Sequence, residues 1–297
     1  MPSVPIEEVV TQCHRILRRG DTVRAAGMAR ELSRQAPNDP RSRLLQGIIA
    51  LLFGQTEHAI RLLEQATFEL TGDDQRLATM HLARARVLAH DVSGALATID
   101  PIADEQAAPG LAIATKAQAL VHAGRLDEAQ AILDASDTPD SDAYHVAIAR
   151  GRLALATPAD DPALAGREAS AIDALGTQSE RVGVPASALM ELLLGLGELN
   201  ARRGKDTDAV HLFKRSAGLN PVQIDPRPYA KSIMGLIMSW NDKTIARARR
   251  IEDGPASETQ RPVFIVGMPG GGPELAAGLL ASHPAASAMG NPEALTG

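Results

Sequence analysis

The sequence predicts an all-α protein, a solenoid of stacked helical hairpins, and three observations carry that expectation. Apolar residues recur at helical spacing through positions 6–220. A glycine followed five residues later by an alanine recurs along the same stretch. Only at 261–284 does the apolar period change, where a short strand, a glycine-rich loop and a helix read in succession.

Taken in order, Gly20, Gly54, Gly124 and Gly204 each close a first helix and are followed by Ala25, Ala59, Ala129 and Ala209. His90, with Ala95, fills the same pattern. Gly20 to Gly54 is 34 residues, and so is His90 to Gly124. In the clearest unit, Gly47 stands where two helices must approach, Gly54 makes the turn, and Ala59 and Ala66 lie in the second helix. Leu44, Leu45, Ile48, Leu51, Ile60 and Leu63 supply its apolar stripe. Cys13 takes the small-residue site of the first unit and Pro37 ends its second helix. Gly197, Gly204, Ala209, Phe213 and Pro221 take the corresponding places late in the chain.

Helix pairs are therefore expected at about 6–36, 41–70, 75–103, 110–135 and 190–219. Between 136 and 184 the pattern loosens, with loops at 137–140 and 157–162 around a helix at 143–156, and a divergent pair is expected to fill it. Asp225-Pro226-Arg227-Pro228 is a stiff break. A helix carrying Trp240 follows at 229–250, then a linker.

The 34-residue unit, with its Gly and Ala positions, resembles the tetratricopeptide repeat. The resemblance implies a right-handed stack whose concave face takes a protein or peptide partner. The expected organisation is a solenoid at 1–221, a connector and linker at 222–260, and a strand-loop-helix fragment at 261–297.

In that last fragment Val263-Phe264-Ile265-Val266 is the strand, Gly267 to Gly272 the loop, and Leu275 to Leu280 the helix. Such a loop points backbone N–H groups and a positive helix end at a phosphate. The blocks VFIVGMP and LLASHP resemble the opening of the PAPS-dependent sulfotransferases, in the subgroup that carries tetratricopeptide repeats. The resemblance implies the start of an α/β, P-loop-like domain, with PAPS as cofactor and sulfate transfer to a protein or small-molecule hydroxyl as the activity. It places the phosphosulfate loop at Pro269, Gly270, Gly271 and Gly272.

Where the family reads P-R-S-G-T-T, this chain reads Pro269-Gly270-Gly271-Gly272-Pro273-Glu274. The arginine and the hydroxyls are gone. Each such hydrogen bond is worth about 1.5–3 kcal/mol, and a carboxylate about 5 Å from a phosphate costs on the order of 3 kcal/mol at an effective dielectric of about 20. The family's glutamate base is Asn291 here, which leaves Glu293, behind Pro292, as the candidate base. The rest of such a domain would lie beyond Gly297. The expectation is a protein-binding scaffold that is catalytically incompetent and holds no cofactor; the alternative is the N-terminal part of an active sulfotransferase. The 263–266 strand lacks neighbours and is expected to be poorly ordered, docked on the solenoid, or paired with a second copy.

Composition narrows the field. With 30 Lys and Arg against 36 Asp and Glu, the formal net charge is -6, and aromatic residues are only 2%. Both argue against nucleic acid. A single cysteine, Cys13, precludes an intramolecular disulfide and is expected to be a small packing residue. The opening MPSVPIEEVV lacks the basic and apolar segments of a signal peptide, and no apolar run approaches the ~18 residues that span a bilayer, so a cytoplasmic location without membrane contact is expected. The eight histidines form no ligand-like cluster in sequence, which gives no expectation of a metal. Lys243, Arg247, Arg249 and Arg250 read as a solvated helix end, and His283 as an ordering residue of its turn.

Overall fold

A computed structural model of the chain describes residues 6–19, 21–138, 142–219 and Met234. The chain divides into two units, Met1–Ile224 and Asp225–Gly297, and apart from Met234 every described residue belongs to the first. Apart from Met234, the expected helix at 229–250, the strand at 263–266 and the helix that follows it lie outside the described residues.

Twelve α-helices, and no strand, make up the described residues. They are α1 (Ile6–Arg18), α2 (Thr22–Gln35), α3 (Pro40–Leu52), α4 (Thr56–Glu69), α5 (Gly72–Leu88) and α6 (Val92–Ala103), followed by α7 (Gly110–His122), α8 (Leu126–Asp134), α9 (Ala143–Ala156), α10 (Leu164–Ser179), α11 (Ala186–Arg202) and α12 (Asp206–Gly218). The expected helix pairs match to about one helical turn, and the looser segment holds the pair α9 and α10.

Local chemistry sets the boundaries. Asp21, Asp39 and Asp91 cap α2, α3 and α6, their carboxylates accepting the N–H groups of Arg24, Arg41 and Gly94 at 3.0, 2.9 and 2.9 Å. The turns that close α3, α5, α7 and α11 share one geometry. Gly54, His90, Gly124 and Gly204 have φ of 71, 59, 74 and 72°. The residue after each donates back across the helix end: Gln55 to Ala50, Asp91 to Arg86, Arg125 to Leu120 and Lys205 to Asn200, at 2.8–2.9 Å. This is the left-handed C-cap that glycine adopts without steric cost, and His90 adopts it against its Cβ.

A second register fixes the packing. On α1, α3, α5, α7 and α11 a small residue lies 16 positions before its filler on the next helix: Cys13 and Ala29, Gly47 and Leu63, Ala83 and Ile99, Ala117 and Leu133, Gly197 and Phe213. A Cβ on Gly47 would stand 2.6 Å from Leu63 Cγ, and one on Gly197 would strike the Phe213 ring. The other three pairs are fully buried within shared apolar clusters. In the divergent pair the partner of Gly151 is Leu175, 24 positions on, because a longer connection separates α9 from α10 and Leu175 lies one helical turn deeper in α10 than Leu63 does in α4.

Each helix packs on the next, and each odd-numbered helix also packs on the following odd one, from α1 through α11. The odd helices thus form one continuous layer. The core is a succession of local clusters rather than a single centre, running from Cys13, Leu32 and Leu45 to Leu175, Leu192 and Leu199. Polar ties stitch the divergent end. Arg202 donates to the carbonyls of Ala154, Leu155 and Thr157 at 3.0, 3.2 and 2.7 Å, satisfying the open C-terminus of α9. Glu168 pairs with both Arg202 and Arg203.

Candidate functional site

Among the described residues, one groove draws side chains from four helices of the odd layer, and its volume is about 100 Å³. That is well below the ~300–1,000 Å³ of small-molecule sites. α7 forms its floor with Leu111, Ala114, Thr115 and Gln118, which recur at i, i+3, i+4 and i+7 and so share one helix face. α9 contributes His145, Ile148, Ala149 and Arg152 by the same rule, with Tyr144 beside them. Arg84 enters from α5 and Glu191 from α11.

Glu191 is the hinge of its electrostatics. Its carboxylate accepts from Arg152 at 2.8 Å and faces Arg84 at 3.5 Å, so two guanidinium groups from α5 and α9 converge on one anion from α11. The three side chains are 30–40% exposed. Water, and any ligand, can reach them. The Tyr144 and His145 rings, tilted 39° to one another, have centroids 4.2 Å apart.

The histidines register cationic surroundings. Burial pushes His145 down to about 4, and Arg84 adds to the shift. Burial pushes His81 down to about 3, with Arg84, His14 and His145 adding to it, and its Nδ1 is buried without a hydrogen-bond partner. His122, whose ring lies 5.4 Å from that of His90, is lowered by burial, His90 and Arg152. Burial pulls Arg152 below its ordinary value; Glu191 and, more weakly, Glu198 oppose this, while Arg84 adds to it. The permanent charges acting on the three histidines are those of Arg84 and Arg152.

These residues share a register that the sequence reading passed over. The position directly after each small packing residue is His14, Ile48, Arg84, Gln118, Arg152 and Glu198. One residue is ~100° of helix rotation; at this position Arg84, Gln118 and Arg152 line the groove, whereas Ile48 is buried in the core. His145 and Glu191 lie seven positions before Arg152 and Glu198, two turns away on the same faces.

Histidines that are scattered in sequence are thus drawn together as His81 with His145 and as His90 with His122. Among the described residues, no group of three or more His, Cys, Asp or Glu could hold a metal ion. Cys13 is fully buried, its Sγ 3.6 Å from the Ala25 carbonyl oxygen, and burial raises its thiol to about 11, which leaves it protonated and unreactive. The loop residues Pro269, Gly270, Gly271 and Gly272, the candidate base Glu293, and His283 lie outside the described residues. Among the described residues no helix is long and apolar enough to cross a membrane. No protein-family model matches the chain, and no curated protein matches it.

Proposed function

We propose that this chain is a tetratricopeptide-type repeat protein, similar to the repeat-bearing sulfotransferases, that binds an extended segment of a partner protein across its odd-helix layer. One observation supports this reading above the rest. Polar side chains from α5, α7, α9 and α11 meet in a solvent-reachable groove too small for a cofactor. A solenoid presents such a surface because each repeat adds one helix to the layer.

The test uses the full chain and a fluorescently labelled pool of random octapeptides. Gln118→Trp fills the groove floor without touching the core behind it. Peptide binding that survives this substitution, in a protein with unchanged thermal unfolding, would place the site elsewhere and defeat the proposal.

The carboxyl-terminal sequence supports a second statement, that the chain is catalytically incompetent for sulfate transfer. Gly270, Gly271, Pro273 and Glu274 remove the cation and the hydroxyls that a phosphosulfate would need, and Glu274 adds a repelling charge. The alternative, an amino-terminal part of a PAPS-dependent sulfotransferase, rests on VFIVGMP and LLASHP. Calorimetry with the desulfated donor, adenosine 3′,5′-bisphosphate, separates the two. No heat is expected; a micromolar dissociation constant would favour the alternative.

A further inference from the structure

We propose that His90 and His122 form a two-imidazole site for a late first-row divalent cation of the Cu²⁺, Ni²⁺ and Zn²⁺ class, which clips the hairpin of α5 and α6 to that of α7 and α8. The two residues lie at the turns that end α5 and α7, and neither lines the groove. The inference is therefore independent of the peptide-binding reading above.

Its starting point is a departure from the repeat. Gly54, Gly124 and Gly204 take the left-handed C-cap without steric cost, whereas His90 takes it at φ 59° against its Cβ. A side chain held in a conformation that glycine adopts more readily points to a use for that side chain. The ring of His90 meets a second imidazole. His122, in the last turn of α7, has its ring centroid 5.4 Å away, with the two planes tilted by 51°.

Geometry and field both suit a cation. Two imidazole nitrogens that share one ion at about 2.0–2.1 Å and tetrahedral angles set their ring centres about 5 Å apart, close to the spacing of this pair. α5 and α7 pack against one another, and both rings sit at helix C-termini, whose partial negative charge favours a cation. Both residues are exposed, so an ion reaches them and water completes its coordination. Burial, with His90 and Arg152 adding to it, holds His122 below its ordinary value, and neutral imidazole is the form that binds a metal. Arg152 opposes the ion, but its charge is balanced by Glu191 at 2.8 Å, and that of Arg125 by both oxygens of Glu128. Imidazole selects Cu²⁺, Ni²⁺ and Zn²⁺ over the oxygen-seeking Mg²⁺ and Ca²⁺, with Cu²⁺ held most tightly. An ion spanning two repeats adds a nearest-neighbour term to the stability of the array.

The full, untagged chain is titrated with the chlorides of Cu²⁺, Ni²⁺ and Mg²⁺ by calorimetry, and its thermal unfolding is followed with and without Ni²⁺. One Cu²⁺ per chain with a micromolar dissociation constant is expected, with Ni²⁺ weaker and Mg²⁺ giving no heat. His90→Gly and His122→Ala each weaken Cu²⁺ binding about 100-fold, since loss of an outer-shell partner alone costs about 10–100-fold. His90→Gly restores the residue that the sibling turns carry, so without metal it unfolds at or above the native temperature, and its lost affinity is not lost folding. Ni²⁺ raises the unfolding temperature of the native chain and of neither variant. Cu²⁺ affinity retained by either variant, or no binding by the native chain, overturns the inference.

Discussion

Gly47 on α3 lies so near Leu63 on α4 that a Cβ added to the glycine would stand 2.6 Å from Leu63 Cγ, against the branch point of that side chain rather than its flexible end. The close approach lets the two helices of a hairpin interlock, and the same device recurs at Gly197 against Phe213.

Gly47→Leu therefore overpacks a fully buried contact and destabilises the chain by about 1–3 kcal/mol. Gly47→Ala costs less, since alanine regains about 1 kcal/mol of helix propensity. Combining Gly47→Ala with Leu63→Ala relieves the clash, so the double variant is more stable than the sum of the two single changes. Strictly additive urea-unfolding energies would mean that the two residues do not touch.

Gly27 on α2 and Gly166 on α10 have open space where a Cβ would point, and neither has a positive φ. Gly27→Ala and Gly166→Ala each stabilise by about 0.5–1 kcal/mol, purely through the unfolded chain and helix propensity. A fall in melting temperature for either would contradict the assigned helix face.

Arg167 on α10 has a side chain only 4% exposed, between Asp127 on α8 and Asp161 in the connection before α10. Its partners are 98% and 25% exposed, and the asymmetry sets the direction of the effects. Arg167→Met leaves two carboxylates that water reaches, and costs about 1–2 kcal/mol. Replacing both acids with alanine strands a buried guanidinium and costs about 3–5 kcal/mol. Chemical denaturation ranks the two variants, and the reverse order would refute the pairing.

Stability falls with acid through the neutral, partly buried histidines. Unfolded His81 and His145 take up a proton near their ordinary 6.5, whereas folded they do so only at about 3 and about 4. The unfolded state binds more protons throughout that interval. Their contribution is thus complete above about pH 6.5 and declines as pH falls toward 4, with a slope of up to about 1.4 kcal/mol per pH unit for each group. His81→Leu flattens the profile between pH 6.5 and 4. An unaltered slope in that variant would show that His81 charges as freely in the fold as out of it.

The sequence by itself determined the helices, their pairing and their turns, because those rest on local chemistry. Left-handed glycines must follow a helix end, aspartates must precede a helix start, and Gly47 or Gly197 must sit where a neighbour intrudes. His90 is the exception that the 34-residue spacing still recovered, since position in the repeat outweighs the ordinary preference for glycine there. The register that holds Arg84, Gln118 and Arg152 was also written in the sequence, one residue after each small packing position, but nothing local marks which of those side chains meet. Arg84 and Glu191 are 107 positions apart. Only the stacking of α5, α7, α9 and α11 into one layer decided that two arginines would face a single carboxylate, because the distance between them is set by how each hairpin packs on the next. Charge acts through space, and a periodic sequence specifies that space only after its repeats have closed on one another.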